Sequence, residues 1–290
     1  MSDAPKICIV GLQHQGVVQA ACFSEIGYQV VAIDGDAGCV AALNSGHYSG
    51  AIPEPGLETL LRNNLLLRRL RFTTDNEAVS EADFVFLSID LPFNEKGLLL
   101  ESTLVTASKI EELRSAGSIL CVTSQVPVGT TESLTSGMVA YVPELLRPGQ
   151  SVSNFLYADR IIIGADDPAV LERVVSLYRP LGRPVLQMGL RSAEMAKHAH
   201  NTMLATQISF ANEIANLCKK VGADEMDVAR ATKADSRVGG KSYVNPGWGL
   251  SGGHLIRDLH VLQELGRRYG CKTPLLDAVE LVDKIRETSQ

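Results

Sequence analysis

The sequence predicts an α/β fold: a doubly wound parallel sheet followed by an all-helical second domain with one long central helix. Three observations predict it. Short apolar runs alternate with helical stretches through the first half, the signature of βαβ units. The pattern changes after Gly189, where no strand run recurs. Finally, 45% of the 290 residues are hydrophobic and 21% charged, enough for two cored domains and incompatible with disorder or low complexity.

Lys6–Val10 is the first buried-strand run, followed by a turn and a helical pattern over Gly16–Ile26. Gln29–Ile33 is the next strand, ended by Asp34-Gly35-Asp36, and helical stretches follow at Cys39–Asn44 and Glu58–Leu67. Further strands are predicted at Phe84–Ile89, Ile119–Thr123, Val139–Val142 and Arg160–Ile163. Strands separated by helices of this length imply parallel pairing with right-handed crossovers. From Ser192 to Val221 a helical pattern runs about eight turns without Gly or Pro. Its apolar stripe is Met195, Leu204, Ile208, Ala211, Ile214, Ala215 and Cys218. Such a stripe packs either against a second subunit or within one chain. Helices near Met226–Thr232, Leu255–Gly270 and Pro274–Glu287 complete the second domain, with a Gly-rich segment Gly239–Gly253 between them. The predicted domains are therefore 1–190 and 191–290.

Several function classes are excluded as expectations. The chain carries 27 basic and 33 acidic residues, net −6, with no long basic run, so neither nucleic acid nor an anionic membrane is an expected partner. The uncharged stretch Ile7–Ser24 holds Gln13, His14 and Gln15 at its middle, which suits neither a membrane span nor a signal segment. Six scattered cysteines form no CxxC pair. They read as buried free thiols of a cytoplasmic protein, with no zinc site or disulfide framework.

Gly11-Leu-Gln-His-Gln-Gly16 follows the first strand and opens the first helix, with Gln13 where G-x-G-x-x-G has its middle glycine. Asp34 lies 23 residues beyond Gly11 at the end of the second strand, where a ribose hydroxyl acceptor belongs. In such a site helix N-terminal amides face a pyrophosphate. An acid there without a following Arg favours NAD over NADP. The alternative is a Rossmann-like turn that no longer holds nucleotide.

Longer strings then fall into order: Ile52-Pro-Glu-Pro-Gly-Leu57, Ser124-Gln-Val-Pro-Val-Gly-Thr-Thr131, Pro143-Glu144-Leu-Leu-Arg147, Asp159-Arg-Ile-Ile-Ile-Gly164 and Ser192-Ala-Glu-Met-Ala-Lys197. Asn201, Ile208-Ser-Phe-Ala-Asn-Glu-Ile-Ala-Asn-Leu217, Asp235-Ser-Arg237 and Asn245-Pro-Gly247 continue the series. From Lys6 to about Asp283 the chain resembles the UDP-glucose/GDP-mannose dehydrogenase family, the nucleotide-sugar dehydrogenases. The resemblance implies a Rossmann-type first domain, NAD as cofactor, and a homodimer through the helix 192–221. It also implies a four-electron oxidation of a sugar CH2OH through a cysteine thioester. Lys197 and Asn201 match the family pair that binds the reacting oxygen, and their i,i+4 spacing puts both on one helix face. Glu144 and Asp258 match its water- and proton-handling acids. Arg237 matches an arginine that reaches substrate from a neighbouring subunit, and Gln125 joins Gly11, Gln13, Gly16 and Asp34 as the cofactor-binding set.

The departures are as specific as the matches. The family string is close to G-x-G-G-S-C-F-P-K-D; here it reads Gly249-Leu-Ser-Gly-Gly-His254-Leu-Ile-Arg257-Asp258. His254 stands at the cysteine position and Arg257 at the lysine. A histidine–aldehyde adduct is weak and an acyl-imidazole labile, so the covalent route loses its nucleophile. Gln125 replaces a threonine, Pro148 replaces a second acid, and the chain ends where family members continue into a third domain.

Each candidate has two readings. Lys197 is a base for a hydroxyl proton, its pKa lowered by desolvation, or a lysine snorkelling from a wet face. His254 is an acid/base oriented by Asp258 one turn away, or the filler of a vacated cysteine pocket. Glu144 positions water or serves structure. Arg237 and Arg257 hold an anionic substrate group, or form surface salt bridges. His198 and His200, at i,i+2, face different sides and make no metal site. The expectation is an NAD-dependent oxidoreductase of a primary alcohol or aldehyde, sugar- or nucleoside-like and in secondary metabolism, lacking the thioester step. The alternatives are a lyase, isomerase or hydrolase reusing the pocket with His254, and a catalytically silent binding homologue.

Overall fold

In the computed structural model, residues 4–91, 93–94, 97–98, 100–135, 137–250 and 254–288 are described. The chain divides into two compact units, Met1–Pro92 with Leu99–Met195, and Phe93–Leu98 with Ala196–Gln290. The cut falls inside a helix, between Met195 and Ala196.

The first unit opens with β1 (Lys6–Val10), α1 (His14–Glu25), β2 (Gln29–Ile33), α2 (Ala37–Asn44), α3 (Leu57–Leu66), β3 (Leu70–Thr73) and β4 (Phe84–Leu87). The short hairpin β5 (Phe93–Asn94) and β6 (Gly97–Leu98) groups with the second unit. The first unit resumes with α4 (Glu101–Leu113), β7 (Ile119–Val122), α5 (Thr131–Leu134), β8 (Val139–Tyr141), α6 (Ser151–Leu156), β9 (Ile161–Gly164), α7 (Pro168–Tyr178) and β10 (Val185–Met188). The strands form one eight-stranded sheet in the order β10-β9-β8-β7-β4-β1-β2-β3.

The inner strands β4, β7 and β9 are buried at every position, because helices cover both faces of a doubly wound sheet. Their sequences are correspondingly continuous apolar runs. Of the edge strands, β3 alternates between buried and less buried positions and β10 has no buried position, and neither was marked by such a run. Polar residues seed the helices: Asp36 Oδ1 accepts from the amides of Gly38 and Cys39 at the start of α2, and Asp167 caps α7 ahead of Pro168, both favoured N-terminal devices.

One pairing differs from the fully parallel expectation. β9 runs antiparallel to β8, whereas β10 is again parallel to β9. The reason lies in the links. An eleven-residue helix, α7, carries the chain back between β9 and β10. Between β8 and β9 there is only the six-residue α6, about 9 Å of helix, and no full crossover.

The second unit contains most of α8 (Leu190–Val221), then α9 (Glu225–Ala234), α10 (His254–Arg268) and α11 (Pro274–Thr288). One apolar cluster in it is Ala205, Ile208, Leu250, Leu259 and Val279, with Tyr243, Leu255, Ile256 and Leu276 packed around them. The 32-residue α8 is about 48 Å long and starts two residues before the sequence pattern did, where Asp166 Oδ1 accepts from the Leu190 amide. Cys8, Cys22, Cys121 and Cys218 are buried free thiols; Cys39 is half-buried and Cys271 exposed. Among the described residues no helix is long and apolar enough to cross a membrane.

Candidate functional site

In the first unit β1 lies at the sheet centre, paired with β2 on one side and β4 on the other. The strand order reverses there, so the carboxyl ends of β1 and β4 splay apart, the place where doubly wound sheets bind ligands. Gly11 sits at that end with φ +99°, and a Cβ on it would lie 2.8 Å from the Ser88 carbonyl oxygen beyond β4. A Cβ on Gly16 would lie 1.9 Å from the Gly11 carbonyl oxygen. Both positions therefore demand glycine, one for the turn and one for the close packing of helix on strand.

Gln13 occupies the turn without obstructing it in the way its size suggests. Its backbone is extended, φ −68°, which any residue adopts. Its side chain leaves the helix start, and Oε1 accepts the Asp90 amide proton at 2.6 Å. No side chain caps α1, so its first-turn amides stay directed at the position a pyrophosphate takes. Asp34 is oriented from the same turn: Oδ2 accepts from the Leu12 amide at 2.8 Å and Oδ1 from the Asp36 amide at 3.0 Å. Beside it the Cys39 thiol is raised in pKa by burial and then by the charges of Asp34 and Asp36. A negative field at this point accepts ribose hydroxyls and repels a 2′-phosphate. Gly11, Gly16 and Asp34 thus fit NAD.

His14, the first residue of α1, was not among the expected site residues. Its ring contacts Tyr48 Oη at 2.8 Å, Ser151 Oγ at 2.9 Å and Glu54 at 3.2 Å. Glu54, from the Pro-Glu-Pro string, is buried and also accepts from the Gly149 and Ser151 amides. Tyr48 is raised in pKa by burial and then by Glu54 and Asp90. The string thereby ties the glycine turn to the segment after Arg147.

Glu144 stands past the end of β8, half-buried, with Oε1 accepting from the Gln19 amide at 2.7 Å. Gln19 is fully buried in α1 and accepts from Ser88 Oγ, which also contacts Thr123 Oγ1. A glutamine inside the apolar run Val17-Val-Gln-Ala-Ala is the signal that would have found this chain, since buried amides need partners. Gln125 is half-buried in the loop after β7. That loop is held by Glu194, fully buried, whose carboxylate accepts from the amides of Gly129 at 2.6 Å and Thr131 at 2.8 Å. Glu194 of the Ser-Ala-Glu-Met-Ala-Lys string is thus a loop anchor.

In the second unit α8 and α10 bring together residues that the sequence separates by about sixty positions. Asp258 is fully buried; its Oδ1 meets His198 Nδ1 at 2.7 Å and its Oδ2 accepts from Asn201 Nδ2 at 2.5 Å. Lys197, half-buried, lies one turn before Asn201 on α8. On α10 itself His254 Nδ1 lies 3.1 Å from Arg257 Nη2. His254 is exposed and Arg257 is buried. His198, absent from the expected site, shares a face with Asn201 at i,i+3, and that spacing was its signal. Arg237 is exposed and gives its guanidinium to Asp235. Asp235 is held below the usual carboxylate range by those bonds. Among the described residues no group of three or more metal-ligating side chains occurs.

A glycine turn at the switch point, an acid on the second strand and a helical second unit define a Rossmann-type dinucleotide-binding protein. Residues 5–182 match the NAD binding domain of the UDP-glucose/GDP-mannose dehydrogenase family, and residues 191–284 match its central domain. The chain belongs to this family. A UDP-glucose 6-dehydrogenase of Pseudomonas aeruginosa is 36% identical over 95% of the chain and 64% of its own length. One from Bacillus subtilis is 36% identical over 90% of the chain and 61% of its own. The chain thus spans less than two thirds of these relatives. The UDP-glucose dehydrogenase of Pyrobaculum islandicum superposes with a TM-score of 0.90 at 32% identity, over 98% of this chain and 69% of that one.

Proposed function

We propose that the protein is an NAD-dependent oxidoreductase that interconverts a primary alcohol and its aldehyde on a sugar- or nucleoside-like substrate, without a covalent thioester step. The observation that carries this reading is the anchored Asn201. Its Nδ2 is pinned by buried Asp258, which His198 holds in turn, so the amide is fixed one helical turn from Lys197. A fixed amide beside an amine is what a reacting hydroxyl needs: one group to hold the oxygen, one to take its proton. Bound nicotinamide supplies the two-electron hydride acceptor. Lys197 takes the hydroxyl proton and Asn201 positions the oxygen. The names of the relatives favour a nucleotide sugar as substrate.

The test begins with calorimetric titration of NAD+, with NADP+ as control, followed by NADH release from UDP-glucose, GDP-mannose and simpler alcohols. Turnover is expected to survive thiol alkylation, to be lost in Lys197→Ala, and to leave NAD+ affinity unchanged in that variant. Absence of NAD+ binding at millimolar concentration would sink the reading in favour of a non-redox enzyme or a silent homologue. A homodimer belongs to the same proposal. Met203, Phe210 and Leu217 recur every seven residues along α8 and are 59%, 52% and 57% exposed, an apolar stripe that a second copy would cover. Phe210→Glu with Leu217→Glu should yield monomers in sedimentation analysis.

A further inference from the structure

We infer that the side chain of Gln13 holds the cofactor: its carboxamide Nε2 donates to the pyrophosphate of a bound dinucleotide, a contact for which glycine has no atom. The inference rests on the NAD-dependent reading above. It deepens that reading at the one residue where the glycine turn departs from G-x-G-x-x-G.

The orientation of the amide follows from its partner. A backbone N–H only donates, so the Asp90 amide at 2.6 Å fixes Gln13 Oε1 toward itself. Nε2 carries two N–H donors and has no partner among the described residues. Gln15, two residues on, is the contrast. Its Nε2 donates to the Thr123 carbonyl oxygen at 3.0 Å, just past β7, so that amide is tied into the fold.

The place of the head group gives the free donors a use. Gln13 starts on the β1 side of the switch point, where its carbonyl accepts from the Val17 amide at 3.1 Å to open α1. Asp90 lies just beyond β4, the strand that flanks β1. The exposed side chain therefore spans the crevice between the two strand ends, which is where a doubly wound sheet takes its dinucleotide. Backbone donors at the turn are already partly spent. The Gly11 amide donates to the Ile33 carbonyl oxygen at 2.9 Å and the Leu12 amide to Asp34 Oδ2 at 2.8 Å. A carboxamide laid across the crevice adds donors there without adding a like charge, and an N–H bond to an ionised phosphate oxygen is of the stronger, charge-assisted kind.

Calorimetric titration with NAD+ and with ADP-ribose, which keeps the pyrophosphate and lacks the nicotinamide, tests the contact without turnover. Gln13→Ala should weaken both ligands equally, by about 10- to 100-fold, the worth of one hydrogen bond to a charged group. Gln13→Glu keeps an oxygen for the Asp90 amide but exchanges the donor for a second acceptor, and should weaken both ligands more than alanine does. In 1H–15N spectra the side-chain NH2 pair of Gln13, assigned through its own backbone amide, should shift on saturation with ADP-ribose. Unchanged or tighter binding in Gln13→Ala overturns the inference, as does a loss confined to NAD+. Parent-like binding by Gln13→Glu would show that only the bond to the Asp90 amide matters, and overturns it too. An NH2 pair indifferent to bound ADP-ribose does the same in the unaltered protein, whatever the variants do. A parent that binds neither ligand loses both this assignment and the dehydrogenase reading. A responsive amide without alcohol or aldehyde turnover leaves the Gln13 contact standing and overturns only that reading.

Discussion

Replacing Gly16 with alanine puts the Rossmann turn under a load that can be worked out from its geometry. The new Cβ would start 1.9 Å from the Gly11 carbonyl oxygen, and real Cβ contacts do not fall below 3.0 Å. Relief needs a displacement of about 1.1 Å between two backbone segments, with no flexible side chain to absorb it. Residues 16–24 of α1 are buried without interruption, so the helix cannot slide without disturbing the main core. Overpacking costs about 1–3 kcal/mol where neighbours adjust; with backbone on both sides the upper end, about 3 kcal/mol, is expected. Gly35→Ala is the internal control, because nothing lies within 4 Å of its added Cβ and a change within about 0.5 kcal/mol follows. Chemical denaturation followed by circular dichroism reads the stability, and calorimetry the NAD+ affinity, which should fall at least tenfold in Gly16→Ala. A Gly16→Ala protein as stable as Gly35→Ala and binding NAD+ like the parent would refute the close-packing reasoning.

Three other outcomes follow from particular contacts. Asp258→Asn turns an acceptor-only group into one that donates, leaving His198 or Asn201 facing a donor, and should cost about 1–3 kcal/mol. In a double-mutant cycle with His198→Phe the two effects should fall short of adding, and strict additivity would deny the bond. Glu194→Gln removes a charged acceptor from the Gly129 and Thr131 amides. A loss of about 1.5–3 kcal/mol is expected, with faster amide exchange in the 124–131 loop than elsewhere. Glu111 is held below its ordinary value of 4.5 chiefly by its hydrogen bonds to Arg114. A carboxylate depressed in the folded state binds fewer protons than in the unfolded chain, so its stabilisation is present above pH 4.5 and is lost as pH falls through the folded value. Acid titration of Arg114→Met should show a shallower loss of stability in that range than the parent.

How far the sequence reads depends on how local the cause is. Ile7–Val10, Phe84–Leu87 and Ile119–Val122 were legible because a strand segment buried on both faces must be apolar at every position. Leu70–Thr73 and Val185–Met188 were not, because an edge strand need not be buried throughout and its residues therefore need not form an apolar run. The turn at Gly11 and Gly16 was legible from spacing, as was the Lys197–Asn201 pair. The behaviour of Gln13 was not, since its side chain answers to the Asp90 amide 77 positions away.

Local residue pattern was enough for the central sheet runs, the nucleotide turn, the long helix and the ordered strings that mark the family. Each of these is set by steric or periodic demands within a few residues of itself. Tertiary structure alone decided that β9 runs against β8, that Glu194 anchors a loop, and that Asp258 meets His198 and Asn201. Those outcomes depend on which helix face packs on which. A buried carboxylate takes the donors that packing brings within about 3 Å, and no spacing along α10 could specify donors carried by α8.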